Sequence, residues 1–441
     1  MERRIFLKGI GIMFTFMLLP FKTDFKIRSA SCRSALDLSD SKSKIIDTLS
    51  HIYCAKGDTP EKNMLKILEM LGGIKSLIDP EDIVILKPNA QWWSQGMTNT
   101  NAMKAFIEAV LARPNFKGEV IIAENHQYDK PNSRGWTTKN RNGDFNLNEL
   151  VEYFQKKGYA NVVKYHWIPV TPQTGTKQSE LVPKSKIVEG PWQGDGYVYD
   201  ENLHYESPLK RRCILSYPIF TSPFSGTVID FKNGAWRNNN YTKQPIKFIN
   251  FSGINHHGDY AGVTASVKNY MGVVDMSCGA PRGGTAGYYN LHHIGVRDYP
   301  YLYYKMPWRL QQKIDSGFNL SYKHKFFYHT GAALGSFMKQ IRMADLNIIT
   351  ADWVGYGSRI NESLSGYPKA IVAGKDPVAL DYWTGREILM PLTRDNKLIA
   401  DLVELNDPDN KKQPYYKFLR ACHQQGVGVL DWDKIRANVS E

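Results

Sequence analysis

The sequence predicts an α/β fold: a mostly parallel sheet flanked by helices, arranged as two lobes with an irregular insertion between them. Short unbroken apolar runs, such as residues 83–86, are typical of strands buried on both faces. Segments with helical periodicity alternate with these runs, which favours parallel strands joined by crossover helices. A long central stretch breaks this alternation. The 441 residues suffice for two or three domains or one two-lobed unit.

The first predicted lobe covers residues 59–169 and alternates helices with strands. Its first helix begins at Thr59-Pro60, because Thr can cap a helix and Pro suits the first turn, and it ends at Gly72. The predicted strands are 83–86, 120–123 and 162–163, and the later helices cover about 101–111 and 147–157.

Residues 170–245 form the predicted insertion, since they are rich in Pro, Gly, Tyr and Asn and contain only short alternating pieces. We expect them to cover the edge or the mouth of the sheet with a few antiparallel strands. The second lobe, residues 246–441, restores the α/β pattern with strands at 346–350 and 370–373. Asp376-Pro377 then predicts a helix start, with Asp376 as its N-cap.

The N-terminus has the features of an export signal. An apolar run over residues 9–21 follows basic residues, and a helix of that length rises only about 20 Å, too short for a membrane span. Residues 3–8, RRIFLK, fit the twin-arginine export pattern. We therefore expect export machinery as a partner, cleavage near Ser31, a periplasmic protein without a stable transmembrane span, and a linker over residues 32–58. A general secretory signal or an uncleaved anchor is the alternative.

Charge and cysteine content restrict the function classes. The chain carries 56 Lys and Arg against 43 Asp and Glu, which favours anionic partners in general. No basic run extends beyond residues 210–212, so a nucleic acid partner is not expected. The five Cys are widely spaced, and closely spaced thiolates hold iron–sulfur clusters and structural zinc. We therefore expect no iron–sulfur cluster, whereas another metal or cofactor stays open.

Polar side chains follow the predicted strands at their carboxyl ends, where open parallel sheets bind ligands. Lys87 and Asn89 follow the strand at 83–86, and Glu124 follows the strand at 120–123. Asp352 follows the strand at 346–350, and Lys375 and Asp376 follow the strand at 370–373. The sequence thus predicts a crevice built from four strand ends. Lys87 would place an ammonium group there, unless it is a surface lysine or pairs structurally with Glu124 or Asp352.

Residues 262–272, GVTASVKNYMG, predict an anion cradle at the start of a helix. They supply backbone amides, hydroxyl groups and the Lys268 ammonium, although the P-loop spacing is absent. Thr264, Lys268 and Asn269 therefore join Lys87 and Asn89 as predicted substrate-binding residues.

His256 and His257 are the predicted general acid–base candidates, because His titrates near neutral pH. Glu124 or Asp352 would orient the histidine or accept a proton. His256, His257 and Asp259 also have metal-ligand chemistry. Adjacent residues on a strand point apart, so the His pair would supply at most one ligand, and histidines held by hydrogen bonds are the alternative.

Four segments occurring in order resemble the "domain of unknown function 362" family. They are residues 85–89 (ILKPN), the segment 262–272, the strand ending at Asp352, and residues 374–381 (GKDPVALD). The resemblance covers about residues 80–390 apart from the insertion. It implies an α/β fold and little settled function, with a distant fold likeness to nickel-cofactor lactate racemases.

This chain departs from the family pattern in two ways. Many relatives carry a ferredoxin-like module with clustered Cys, which is not found here. The family usually has Lys-x-His before the Gly-Val-Thr segment, where this chain has Asn255-His256-His257. The resemblance therefore gives the His role to His256 or His257, without the family's Lys.

Three functions fit these observations. The first is an exported enzyme acting on a small anionic substrate, either a carboxylate or a phosphate, with His256 or His257 transferring protons. The second is a non-catalytic exported anion-binding protein, with aromatic residues of 289–308 stacking on the ligand. The third is a redox accessory protein carrying a metal or cofactor, which the twin-arginine signal motivates.

Overall fold

A computed structural model describes residues 49–125, 132–170, 184–206, 212–258, 261–276, 322–396 and 400–441, without the side chains of 322–328 and 400–401. The predicted signal peptide, Asp259 and the aromatic residues of 289–308 lie outside these ranges. The described residues belong to one compact unit that begins at Leu49.

The strands within these ranges are β1 Ser50–Lys56, β2 Ile83–Lys87, β3 Glu119–Asn125, β4 Val162–Trp167, β5 Gly196–Val198, β6 His204–Glu206, β7 Arg212–Ile214, β8 Tyr217–Thr221, β9 Val228–Asp230, β10 Gly234–Arg237, β11 Asn240–Tyr241, β12 Ile246–Gly258, β13 Gly262–Thr264, β14 Leu346–Gly355, β15 Ala370–Gly374 and β16 Ile435–Ser440. The α-helices are α1 Pro60–Met70, α2 Thr100–Leu111, α3 Leu147–Lys156, α4 Ser266–Asn269, α5 Tyr322–Gln340, α6 Pro377–Thr384, α7 Met390–Asp395, α8 Ala400–Asn406 and α9 Pro414–His423.

One mixed, mostly parallel sheet organises the fold. Its strand order is β16-β1-β15-β14-β12-β2-β3-β4, and β13 pairs with β12 beyond this path. The strands from β14 to β4 in this order are mutually parallel, as are β1 and β16. Apolar side chains on the two faces of the sheet belong to two buried clusters. The α/β prediction with a mostly parallel sheet is confirmed.

The strands of both predicted lobes lie in this one sheet. β2, β3 and β4 come from the first lobe, and β12 and β14 come from the second. The junction is direct, because β12 pairs with β2 in parallel, with Phe248 opposite Ile85. The carboxyl ends of strands from both halves therefore meet at one edge.

Local signals explain where several helices begin. The Thr59 side chain accepts from the backbone amide of Lys62, and Pro60 opens α1. Asn146 and Glu149 form a reciprocal capping box at the start of α3. Asp376 caps α6 as predicted, accepting from the amides of Val378 and Ala379.

The insertion contains a five-stranded antiparallel sheet of order β11-β10-β9-β8-β5 and the separate pair β6 and β7. Aromatic rings join it to the main sheet. Trp167 at the end of β4 lies 5.7 Å from Phe220 and 5.8 Å from Phe231, between ring centroids. Phe231 in turn lies 4.9 Å from Phe248 of β12. These contacts make the insertion part of the same core.

Two expectations were wrong. Residues 50–56, predicted as linker, form β1 between β15 and β16, with Ile52 and Cys54 buried. The fourth strand, β15, runs antiparallel to β14, because residues 356–369 return the chain without a crossover helix. The carboxyl end of β15, which leads to Asp376, therefore lies at the opposite edge from Lys87. None of the helices within the described ranges combines the length and apolar character needed to cross a membrane.

Candidate functional site

Lys87 ends β2 as a fully buried ammonium whose hydrogen bonds are all internal. Its Nζ donates to Pro88 O at 2.7 Å, to Asn269 Oδ1 at 2.8 Å and to Glu124 Oε1 at 3.1 Å. An ammonium group has three N–H donors, so none is left for a ligand. Lys87 and Glu124 form a buried structural ion pair, and the prediction of Lys87 as a direct substrate ligand was wrong.

Burial and pairing act in opposite directions on the Lys87–Glu124 pair. Burial lowers the pKa of Lys87 and raises that of Glu124, whereas the charge of each partner opposes the shift of the other. The second carboxylate oxygen of Glu124 accepts from the Ala90 backbone amide at 2.5 Å. Glu124 therefore holds the chain just after β2, and its oxygens are occupied.

Gly272 closes over this pair, which explains the last glycine of the segment 262–272. A Cβ atom at Gly272 would lie 2.2 Å from Lys87 Nζ and 2.7 Å from Glu124 Oε1. Lys87 is held by three hydrogen bonds, so any larger side chain would disrupt the pair.

Asn269 is also an internal residue. It receives the Lys87 hydrogen bond and donates to the Lys87 carbonyl at 3.2 Å and to Asn250 Oδ1 at 2.8 Å. Asn250 continues the network to Ser266 Oγ at 2.9 Å and Asn347 Oδ1 at 3.0 Å. The backbone N–H of Asn89 donates to Thr98 Oγ1 at 2.7 Å. Asn269 thus locks α4 onto β2 and β12.

The start of α4 is occupied by a side chain of this chain, so the predicted anion cradle is already filled. Asp381 of α6 accepts from the amide of Ser266 at 2.7 Å and from that of Val267 at 2.9 Å. Burial raises the pKa of Asp381 to about 8, although both amide hydrogen bonds act in the opposite direction. Two of the family-like segments, 262–272 and 374–381, are therefore joined to each other by this contact.

Lys268 differs from Lys87. The residue is 7% exposed, and within the described part of the chain its ammonium makes no hydrogen bond or ion pair. Burial lowers the pKa of Lys268 to about 7, and the positive charges of Arg359 and Lys87 add to this effect. Lys268 is therefore a buried amine whose charge is not balanced by any described carboxylate.

Arg359 is the cation whose charge lowers the pKa of Lys268 most, and it is held by aromatic and imidazole groups. Its guanidinium carbon lies 4.4 Å from the ring centroid of Trp92, and Arg134 lies 4.5 Å from the same ring. Its Nη1 also lies 2.6 Å from His257 Nδ1. Burial and the charge of Arg134 lower the pKa of Arg359. We call Lys268, Arg359 and Arg134 the cation cluster, which His257 contacts through Arg359.

A tight turn places Arg359 in the cation cluster. β14 ends at Gly355, whose amide donates to Asn255 Oδ1 at 2.8 Å. A Cβ atom at Gly355 would lie only 1.9 Å from the Ser358 carbonyl oxygen, so the turn requires a glycine. Asn255 belongs to β12, and this contact ties the turn to the strand that carries His257.

The two adjacent histidines point to different partners, as the strand geometry predicts. His256 is buried, with Nδ1 2.7 Å from Asn406 Oδ1 of α8. His257 is half-buried, and its Nδ1 also lies 2.9 Å from Thr264 Oγ1. The guanidinium group can only donate, so it needs an acceptor nitrogen on the His257 ring. Of the two histidines, it is His257, with Thr264 beside it, whose ring contacts Arg359 of the cation cluster.

Asp352 does not contact either histidine among the described residues. It lies 3.4 Å from Asn99 Nδ2, on the same face of β14 as Thr350, which accepts from the Asn99 amide. Burial raises the pKa of Asp352, and Lys369 opposes the shift. The structure therefore gives no contact through which Asp352 would orient His256 or His257.

Arg359, Arg134 and Trp92 are functional candidates that were not predicted from the sequence. Trp92 follows the ILKPN segment by three residues, and Arg359 follows the end of β14 by four. Both lie in loops at the carboxyl edge that the sequence already singled out. The signal that points to them is a basic or aromatic residue in the loop that follows a strand end at this edge.

Metal and thiol chemistry has few donors in the described ranges. These ranges contain no group of three or more His, Cys, Asp or Glu side chains that could hold a metal ion. Asp259, the third predicted metal candidate, lies outside them. Cys54, Cys213 and Cys422 are free and buried, and burial raises the pKa of each thiol.

No protein family, curated protein or solved structure matches this chain.

Proposed function

We propose that this chain is an exported enzyme that binds a small carboxylate or phosphate substrate beside the cation cluster. The observation that carries the proposal is the pair Lys268 and Arg359: neither has a carboxylate partner within the described ranges, and Lys268 is buried. A buried charge without a counter-charge costs several kcal/mol. A bound anion would supply that counter-charge.

The surroundings support a positioned anion rather than a general basic surface. Arg359 is oriented by Trp92 and His257, and its turn is fixed by Asn255. A guanidinium group offers paired N–H donors that match carboxylate and phosphate oxygens. In this proposal Arg359 and Lys268 bind the anion directly. Lys87, Glu124 and Asn269 hold the strand ends in place.

His257 is the proposed proton-transfer group. It is half-buried beside the cation cluster, and Thr264 and Arg359 fix the position of its ring. A held imidazole can take or give a proton near neutral pH. His256 contacts Asn406 and Asp352 contacts Asn99, so neither is assigned a part in the reaction.

Membership of the domain of unknown function 362 family and export through the twin-arginine route are parts of the same proposal. The Asp381 contact between segments 262–272 and 374–381 gives a structural reason for these segments to occur together. Export is tested by fractionating cells that express the chain with Arg3 and Arg4 intact or replaced by Lys. Periplasmic recovery that does not depend on the two arginines would contradict the twin-arginine route.

Calorimetric titration tests the anion site. Acetate, pyruvate and inorganic phosphate are titrated into the wild type and into Lys268→Met, with Lys411→Met as a matched control, because Lys411 is exposed. We expect at least one anion to bind, with affinity reduced about tenfold or more in Lys268→Met, since a charge-assisted hydrogen bond contributes about 1.5–3 kcal/mol. Equal affinities in all three proteins would refute the assignment of Lys268.

Turnover separates the enzyme from the alternative of a non-catalytic anion-binding protein. A bound anion that is recovered unchanged after long incubation would favour the binding protein. The redox accessory alternative is tested by elemental analysis and an absorption spectrum of protein purified from its own compartment. Stoichiometric metal or a chromophore would favour that alternative.

A further inference from the structure

We propose that Lys268 is a nucleophilic amine that forms an imine with an aldehyde or ketone carrying a carboxylate or phosphate. This inference deepens the proposed function and rests on it, because the anionic group of the substrate would bind at Arg359. It changes the role of Lys268 from an electrostatic ligand to the group that bonds covalently to the substrate.

Two buried lysines at one edge of the sheet differ in their hydrogen-bond partners. Lys87 donates three hydrogen bonds and faces the Glu124 carboxylate, so its amine has no available lone pair. Lys268 is nine-tenths buried and makes no hydrogen bond or ion pair with any described group. A lysine without a carboxylate partner, in a water-poor place and next to other cations, has the environment that activates an amine as a nucleophile.

The charges around Lys268 lower its pKa, as burial does. Arg359 and Lys87 are the cations that act on it, and both disfavour its protonated form. The carboxylates nearest along the packed elements are already engaged: Glu124 pairs with Lys87, and Asp381 accepts from the first amides of α4. His257 contacts Arg359. The pKa of Lys268, lowered to about 7, is consistent with a fraction of neutral amine at neutral pH.

The step balances without an oxidant or a reductant. The Lys268 Nζ lone pair attacks the carbonyl carbon, a C–N bond forms, and the carbonyl π electrons move to the oxygen. One amine proton transfers to that oxygen, which gives a carbinolamine. A further proton from water lets the oxygen leave as water, and the nitrogen lone pair forms the C=N bond of a protonated imine.

Reductive trapping tests the inference on the intact full chain. The protein is incubated with pyruvate and cyanoborohydride near neutral pH, digested, and mapped by mass spectrometry. Acetone, which has the same methyl ketone but no carboxylate, serves as the matched probe. Exposed lysines are almost fully protonated at neutral pH, whereas about half of Lys268 would be neutral, so we expect labelling of Lys268 to exceed that of Lys411 by about 1,000-fold.

The two probes distinguish anion-directed chemistry from simple amine reactivity. We expect the pyruvate-to-acetone labelling ratio to be at least about tenfold higher at Lys268 than at Lys411, because one charge-assisted hydrogen bond to the carboxylate supplies that factor. Lys268→Arg should remove the label, whereas Lys411→Arg should leave the Lys268 label unchanged. If all exposed lysines were labelled to the same extent and Lys268 were not preferred, the inference would be overturned.

Failure of the inference can be told apart from failure of the proposed function. If calorimetry shows anion binding that depends on Lys268 but no label is trapped, the anion site stands and the imine is refuted. If neither binding nor labelling occurs, both are refuted. Should Lys268→Arg fail to fold, the pH profile of wild-type labelling decides: half-maximal labelling near pH 7 at Lys268 supports the inference, and a profile matching Lys411 overturns it.

Discussion

At the scale of single residues, the carboxyl edge of the sheet holds two buried lysines with opposite relations to their surroundings. Lys87 has a carboxylate, a carbonyl and an amide oxygen around its ammonium, whereas Lys268 has no such partner among the described residues. The free energy of folding should therefore respond oppositely to the loss of each charge. This contrast allows one substitution to serve as the reference for the other.

Replacing Lys268 by Met should stabilise the folded protein near neutral pH. Replacing buried charge with an apolar side chain of similar volume can stabilise by about 1–4 kcal/mol, and here no described partner is left unpaired. The folded-state pKa, about 7, is lower than that of an unfolded lysine. The penalty is therefore complete below pH 7 and disappears as pH rises towards about 10.4. Urea unfolding at several pH values measures the gain, and a gain independent of pH would contradict this explanation.

Replacing Lys87 by Met should destabilise the protein by about 3–5 kcal/mol, because it leaves Glu124 as an unpaired buried carboxylate. Urea unfolding at neutral pH measures the change. The double variant Lys87→Met with Glu124→Gln should recover part of the loss, since the unpaired charge is then removed. If Lys87→Met left the stability unchanged or raised it, the assignment of a structural role to Lys87 would be wrong.

At the scale of elements, the short helix α4 depends on a side chain from a distant helix. The carboxylate of Asp381 occupies the amides that the sequence assigned to an anionic ligand. The sequence therefore predicts the correct kind of contact for segment 262–272, an acidic group that accepts from the first amides of a helix, but the group is a side chain of this chain and not a ligand. Only the packing of α6 against α4 reveals that the acceptor belongs to the chain.

Replacing Asp381 by Ala should destabilise the protein by about 2–5 kcal/mol, because two buried amides lose their acceptor. Asp381→Asn retains one oxygen and should lose about half as much. Burial raises the pKa of Asp381, so ionisation of the wild type opposes folding increasingly as pH rises from about 4 to about 8. The loss of stability of Asp381→Asn relative to the wild type should therefore become smaller over that pH range. Chemical unfolding of both variants, with exposed Asp433→Ala as control, measures these differences, and equal losses for Ala and Asn would contradict the capping role.

Element positions were predictable where local chemistry decides them. The predicted strand at 83–86 and helix at 101–111 correspond to β2 and α2, because apolar runs and helix caps are local signals. The strand β1 was missed because it follows a polar segment and because its core position depends on β15 and β16. The direction of β15 was missed for a related reason: it follows from the path of residues 356–369, which strand composition does not encode.

The same difference between local and distant signals explains which residues of the candidate site could be predicted from the sequence. Lys268 was identifiable because an ammonium inside a Gly-rich segment is unusual in itself. Arg359 and Trp92 were missed, because their contact joins the loop after β2 to the turn after β14. The internal roles of Lys87 and Asn269 were also not predictable, since their mutual hydrogen bond spans 182 positions of sequence.

At the scale of the whole molecule, the main sheet unites the two halves of the chain around β12. This strand of 13 residues pairs with β2 on one side and β14 on the other. His257 near its end contacts Arg359, and Asn250 in its middle contacts α4. The cation cluster therefore exists only when β12 is seated between strands of both halves, so site assembly and formation of the central sheet are one event.

Amide hydrogen exchange followed by mass spectrometry tests this single cooperative sheet. We expect the amides of β12, β2 and β14 to exchange slowest and at one common rate, because opening any of them requires the central sheet to unfold. The edge strand β16 should exchange faster, since four of its residues are exposed. Lys87→Met should accelerate all three central strands together. Two independently folding lobes would instead give separate rates for β2–β4 and for β14–β15, with only one group accelerated by the substitution.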